Sequence, residues 1–150
     1  MAAAKSDNAK GWALFGAVET GDLHAVAIQV LNGARVNWRN EYASGRTALM
    51  TAAARGHDDV VRFLIDRGAD LDVQDTHGQT ALMSAAYKSK PRVVRTLMKR
   101  GADPDLRSRL GKTARDMCFT DNCRQLLDQG VVFQRWLRRR ELVVWGRRPR

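Results

Sequence analysis

The residues of this 150-residue chain that invite a test for chemistry are three histidines, two cysteines and a set of loop aspartates. Acid–base catalysis or metal binding would require several of them to converge. His24, His57 and His77 fall at unrelated points of the chain, and His57 reads as a turn residue. Cys118 and Cys123 sit five apart, without a CxxC pairing or companion histidines, so neither a zinc site nor a disulfide framework is indicated. They read as reduced, partly buried thiols. Asp70, Asp72 and Asp75 resemble a carboxylate cluster, but Asp103 and Asp105 repeat the first two positions downstream. A recurring spacing points to architecture, and the glycines recur in the same way rather than forming a phosphate-cradling loop. The expectation is a protein that is not an enzyme and uses no metal or cofactor.

Charge is the next candidate for function. The formal net charge is +10, unevenly spread. Residues 131–150 hold seven arginines against one acid, Glu141, and so carry +6, which leaves +4 for the rest of the chain. An acidic partner would feel the tail most strongly. With 44% apolar residues the chain can bury a core, and its length suits one domain. No run reaches the roughly 20 apolar residues that cross a membrane, and the N-terminus has no signal-peptide stretch. A cytoplasmic or nuclear protein, monomeric, is expected.

The elements that position these residues are visible as a repeat. Gly45-Arg46-Thr47-Ala48-Leu49-Met50-Thr51-Ala52-Ala53 returns at an offset of 33 as Gly78-Gln79-Thr80-Ala81-Leu82-Met83-Ser84-Ala85-Ala86, and Gly111-Lys112-Thr113-Ala114 opens a third copy. Arg67-Gly68-Ala69-Asp70 answers Arg100-Gly101-Ala102-Asp103 at the same offset. A weaker unit precedes them, with two extra residues within 38–44. Thr47 and Thr80 are placed to cap helix starts. The paired alanines allow close helix approach. Val60, Val61, Leu64 and Ile65 recur at helical spacing, as do Val93, Val94, Leu97 and Met98. Gly68 and Gly101 end each second helix.

The period and the Thr-Ala-Leu-Met-Thr-Ala and Thr-Ala-Leu-Met-Ser-Ala segments resemble the ankyrin-repeat family, whose signature has proline and histidine where this chain has alanine and methionine. The resemblance spans roughly residues 11–130. It implies an all-α solenoid of about four helix-turn-helix units with turn-tip loops, at about 11–44, 45–77, 78–110 and 111–130, followed by a basic tail at 131–150. Both ends are expected to be atypical caps, the last unit closing early at Gly130. The resemblance also implies binding of another protein, acidic or mixed in charge, through turn tips and the groove side of the first helices. Carried onto this chain, the candidate positions are Trp38, Arg39 and Tyr42 at the first tip, and Gln74 and His77 at the second. Arg107 and Arg109 lie at the third, and Arg46, Arg55, Gln79, Tyr87 and Lys88 line the groove, with Lys112 extending the basic row. Trp38, Tyr42, Arg46, Arg55, Tyr87 and Lys88 are expected on one face. Trp38 has a packing role as its alternative, and the basic row a solvated one.

The tail interleaves Arg135, Trp136, Arg138, Arg139, Arg140 and Trp145 with apolar residues. Residues 131–142 suit a capping helix. A nucleic-acid or nuclear-import arm, a membrane-surface helix and a docking segment are the alternatives. The leading function is therefore a protein-binding adaptor, scaffold or inhibitor. The alternative is a nucleic-acid-associated protein acting through the tail, which carries no recognised nucleic-acid-binding motif.

Overall fold

The computed structural model describes the backbone of residues 2–145 and the side chains of 7–132, 134 and 135. Its helices are α1 (Ala2–Thr20), α2 (Leu23–Leu31), α3 (Ala48–Arg55), α4 (Asp58–Asp66), α5 (Ala81–Tyr87), α6 (Pro91–Lys99) and α7 (Asp121–Trp145). A small hairpin, β1 (Arg39–Asn40) and β2 (Arg46–Thr47), forms the first tip, with Arg39 opposite Thr47 and Asn40 opposite Arg46. Asn40 is buried there because its carboxamide oxygen accepts the N–H groups of Tyr42 and Ala43, closing the intervening 3-10 turn.

The helices stack in two layers. First helices α1, α3 and α5 contact one another in order, and second helices α2, α4, α6 and α7 do the same behind them. Thr47 and Thr80 cap α3 and α5 as expected, their hydroxyls accepting the Met50 and Met83 N–H groups at 3.4 and 3.2 Å. Ala52, Ala53, Ala85 and Ala86 are wholly buried where the first helices meet, and the absence of larger side chains permits that approach. Val60, Val61, Leu64, Val93, Val94 and Leu97 fill the space between layers. Polar ties repeat with the units: Asp70 and Asp103 accept the N–H groups of Asp72 and Asp105. Asp72 also takes the N–H of Asp103 in the next unit. The loop aspartates therefore hold turns together.

The turn between paired helices carries one unfavourable choice. Gly56 closes α3 in the left-handed region at φ 85°, and Ser89, its counterpart in the next unit, holds φ 50°. A Cβ is disfavoured there. Ser89→Gly is accordingly expected to stabilise the fold by about 1 kcal/mol, less a part lost to the freer unfolded chain. Urea melts would register this, and destabilisation would contradict it.

Both ends depart from the sequence reading. Helix α1 begins at Ala2, well before the expected unit start near residue 11. In the last unit no first helix forms. Residues 114–118 make a single turn, with Met117 and Cys118 bonded to the carbonyls three residues back. Thr113 still caps it: its hydroxyl accepts the Asp116 N–H at 3.4 Å, while its own N–H and hydroxyl donate to the Asp116 carboxylate. However, Arg115 and Asp116 occupy the places of the buried Leu-Met pair of the other units and are exposed, so no apolar face sustains a helix. Arg115 instead grips Asp128 of α7 at 2.7 Å. Helix α7 runs without a break through Gly130, where the sequence placed the end of the unit. A Cβ on Gly130 would lie 2.6 Å from Met98 Cε, so this glycine serves close packing of α7 on α6 rather than termination. Gln134, buried, donates to the carbonyls of Met98 and Ala102, which ties this part of α7 to the end of the last complete repeat.

Candidate functional site: the groove of the first helices

Three of the basic residues singled out in the sequence line one cleft. Arg46 enters from β2, Arg55 from the end of α3 and Lys88 from the turn after α5. They enclose a volume of about 600 Å³ together with Lys90, Phe15, Glu19, Ala43, Thr51 and Ala54. Four cations thus face one carboxylate, and that carboxylate makes only a loose pair with Arg55 at 3.5 Å. Arg46 is half-buried and reaches the Met50 carbonyl and the Ser84 hydroxyl at 3.3 and 3.5 Å, while its Nε lies buried without a protein acceptor among the described residues. Lys88 Nζ lies 5.3 Å from the centre of the Tyr87 ring, which in turn meets Phe119 edge-on at 5.4 Å. Tyr87 and Phe119 are both exposed, so this end of the groove is aromatic.

The other end is aromatic too. Tyr42 is 89% exposed and packs only loosely against Trp12 at 5.7 Å. Both line a hollow that shares Phe15, Glu19 and Ala43 with the basic cleft. Trp38 lines neither this hollow nor the basic cleft. Its indole lies against α1, 5.9 Å from Trp12 and 6.2 Å from Phe15, and its N–H donates to Asn8. A Cβ at Gly11 would lie 2.4 Å from the Trp38 ring, so glycine there makes room for the indole. Trp38 therefore takes the packing role, against the first helix of its own unit. The expected single face gathers Tyr42, Arg46, Arg55, Tyr87 and Lys88 without it.

Several other candidates are engaged in joining units. Gln74 donates its amide protons to the Gly78 and Arg107 carbonyls, both at 2.8 Å. Arg39 donates to the Gln74 carbonyl. Gln79 and His77 give their backbone N–H groups to Asp75. Arg107 donates to the Gly111 carbonyl, and the Arg109 N–H bonds to His77. The side chains of His77, Arg109 and Lys112 are exposed but outside the basic cleft. Arg135 is exposed on α7, whereas the side chains of Trp136, Arg138, Arg139, Arg140 and Trp145 lie outside the described residues. Trp12, Glu19, Lys90 and Phe119 join these surfaces without standing out in the sequence as candidates. Lys90 had a signal, since it stands one repeat period after His57, whose ring approaches the Glu19 carbonyl from the same turn position.

Among the described residues no three histidine, cysteine or acidic side chains gather as metal ligands. Cys118 and Cys123 are both buried. Burial pushes the Cys118 thiol up from 9.0 to about 12, and Cys123 adds in the same direction. The folded chain then holds this proton at a pH where the unfolded thiol has lost it. The associated stability is complete below about pH 9 and is lost as pH rises toward 12. Iodoacetamide at about pH 8 should spare both thiols in native protein and modify both in denaturant. Rapid native labelling, read by mass, would contradict this.

A family model described as ankyrin repeats matches residues 14–108 in three copies, and the chain belongs to the ankyrin-repeat family. Repeats of this family are generally protein–protein interaction modules. A search of curated proteins finds no match to the chain. No helix among the described residues is long and apolar enough to cross a membrane.

Proposed function

We propose that this chain is an adaptor or inhibitor that seats an acidic segment of a partner protein in the groove of its first helices. The observation that carries the reading is the cleft formed by Arg46, Arg55, Lys88 and Lys90, where four cations meet only Glu19. Carboxylates entering it would gain charge-assisted hydrogen bonds in a half-enclosed setting, and long-range attraction would speed their arrival. Tyr42 with Trp12 at one end, and Tyr87 with Phe119 at the other, offer rigid contact area of the type that dominates binding energy. The reading needs neither metal nor cofactor, and no catalytic step. Selection of a random peptide library on the immobilised protein tests it. Recovered peptides should combine aspartate or glutamate with an apolar anchor. Enrichment of basic or uncharged sequences would sink the proposal.

A further inference from the structure

The layer of second helices carries its own concentration of cations, separate from the groove. A cleft of about 470 Å³ between α4 and α6 is lined by Arg62, Arg92, Arg95, Lys99 and Arg100, with Asp58 as the one carboxylate among the lining residues. Five cations against one acid leave +4 on its walls. Asp58 is already engaged, taking Arg62 and the Thr96 hydroxyl. Arg100 is held by Asp66 at 2.6 Å. Arg92, Arg95 and Lys99 pair with no carboxylate among the described residues.

The repeat supplies an internal control for this arrangement. Residues 92, 95 and 99 occupy one face of α6, while Val93, Val94, Leu97 and Met98 face the core. The corresponding positions of α4, one repeat period earlier, are Asp59, Arg62 and Asp66, a mixed set. The solenoid therefore accepts acids at these places, and stacking like charges three and four residues apart costs a helix a few tenths of a kcal/mol per pair. Folding does not account for an all-cation face on α6. A ligand does. The cleft lining includes no aromatic ring on which unpaired bases would stack, and no apolar side chain to enter a bilayer. Two of its three unpaired cations, Arg92 and Arg95, are arginines, whose planar forks match phosphate oxygens.

We infer that the α4–α6 face binds the phosphate backbone of a double-stranded nucleic acid without reading its sequence. This site is independent of the groove and does not rest on the acidic-segment reading. The test is fluorescence anisotropy of a short labelled DNA duplex of arbitrary sequence with the full chain, across a salt series. The triple variant R92Q/R95Q/K99Q should weaken binding by roughly 10- to 100-fold and flatten the log Kd against log salt slope by about 2 to 3, one unit per lost phosphate contact. The groove variant R55Q/K88Q/K90Q removes the same net charge and should change the affinity far less. Equal loss in both variants would reduce the effect to net charge and overturn the site. So would a wild-type chain that ignores the duplex, or a triple variant that binds it unchanged. Phosphatidylserine vesicles in place of the duplex make the second arm: binding to them alone, lost in the triple variant, would assign the face to a membrane and overturn the inference.

Discussion

Replacing Leu64 by alanine is expected to cost roughly 2 to 5 kcal/mol of unfolding free energy, the range for a buried leucine. Leu64 is completely buried and is among the largest side chains with no exposure. It projects from α4, which contacts α2, α3 and α6, so the cavity would open at the centre of the stack, where neighbours on several sides resist collapse into it. A domain of this size has about 5 to 15 kcal/mol in all, so the loss would be a large share. Each repeat depends on its neighbours, and a weakened middle unit can uncouple the two ends. The urea transition should therefore shift to lower concentration and broaden. Ile65 is only half-buried, and Ile65→Ala should cost less. A loss below about 1 kcal/mol for Leu64→Ala would mean that the core is misplaced.

The second large effect concerns the groove. The double variant R55E/K88E should weaken binding of a library-selected acidic peptide by about 100-fold or more, because it replaces two attractive charges with repulsive ones in a cleft that already holds Glu19. Most of that loss should fade at high salt, since Arg55 and Lys88 are exposed and screening acts on them. Tyr42→Ala should weaken binding by about 1 kcal/mol or more at every salt concentration, because its contribution is contact area. Tyr42 is the aromatic to remove. Trp38 packs on Gly11, Trp12 and Phe15, so its removal would disturb α1 as well as any binding. Unchanged affinity in R55E/K88E, measured by calorimetry, would separate the groove from binding.

Much of the fold is legible in the sequence because the repeat states each local choice twice. Thr47 and Thr80 cap, Gly56 and Ser89 turn, and Leu64 and Leu97 fill the core at one spacing. Internal agreement of that kind is what periodicity reports. It reports less where a residue contacts something outside its own register. Trp38 meets Gly11 in α1, a pairing between a tip and a terminal helix that no other unit repeats. Gly130 resembled a terminator, but its role comes from Met98 on the neighbouring helix. The failed helix after Thr113 was readable in principle, since Arg115 and Asp116 replace Leu and Met, although the cap itself is present. For the site, register brought Arg46, Arg55 and Lys88 to one cleft. The same register could not reveal that Gln74 spans two backbones, because that depends on loop geometry.

The most direct measurement is an NMR titration of the full chain with a library-selected acidic peptide, following every assigned backbone amide. The account predicts that the largest shifts fall on Tyr42 to Arg46, on Ala54 and Arg55, and on Tyr87 to Lys90, with α4 and α6 quiet. Shifts confined to the second-helix layer or to residues 131–150, with the groove amides unmoved at saturation, would contradict it.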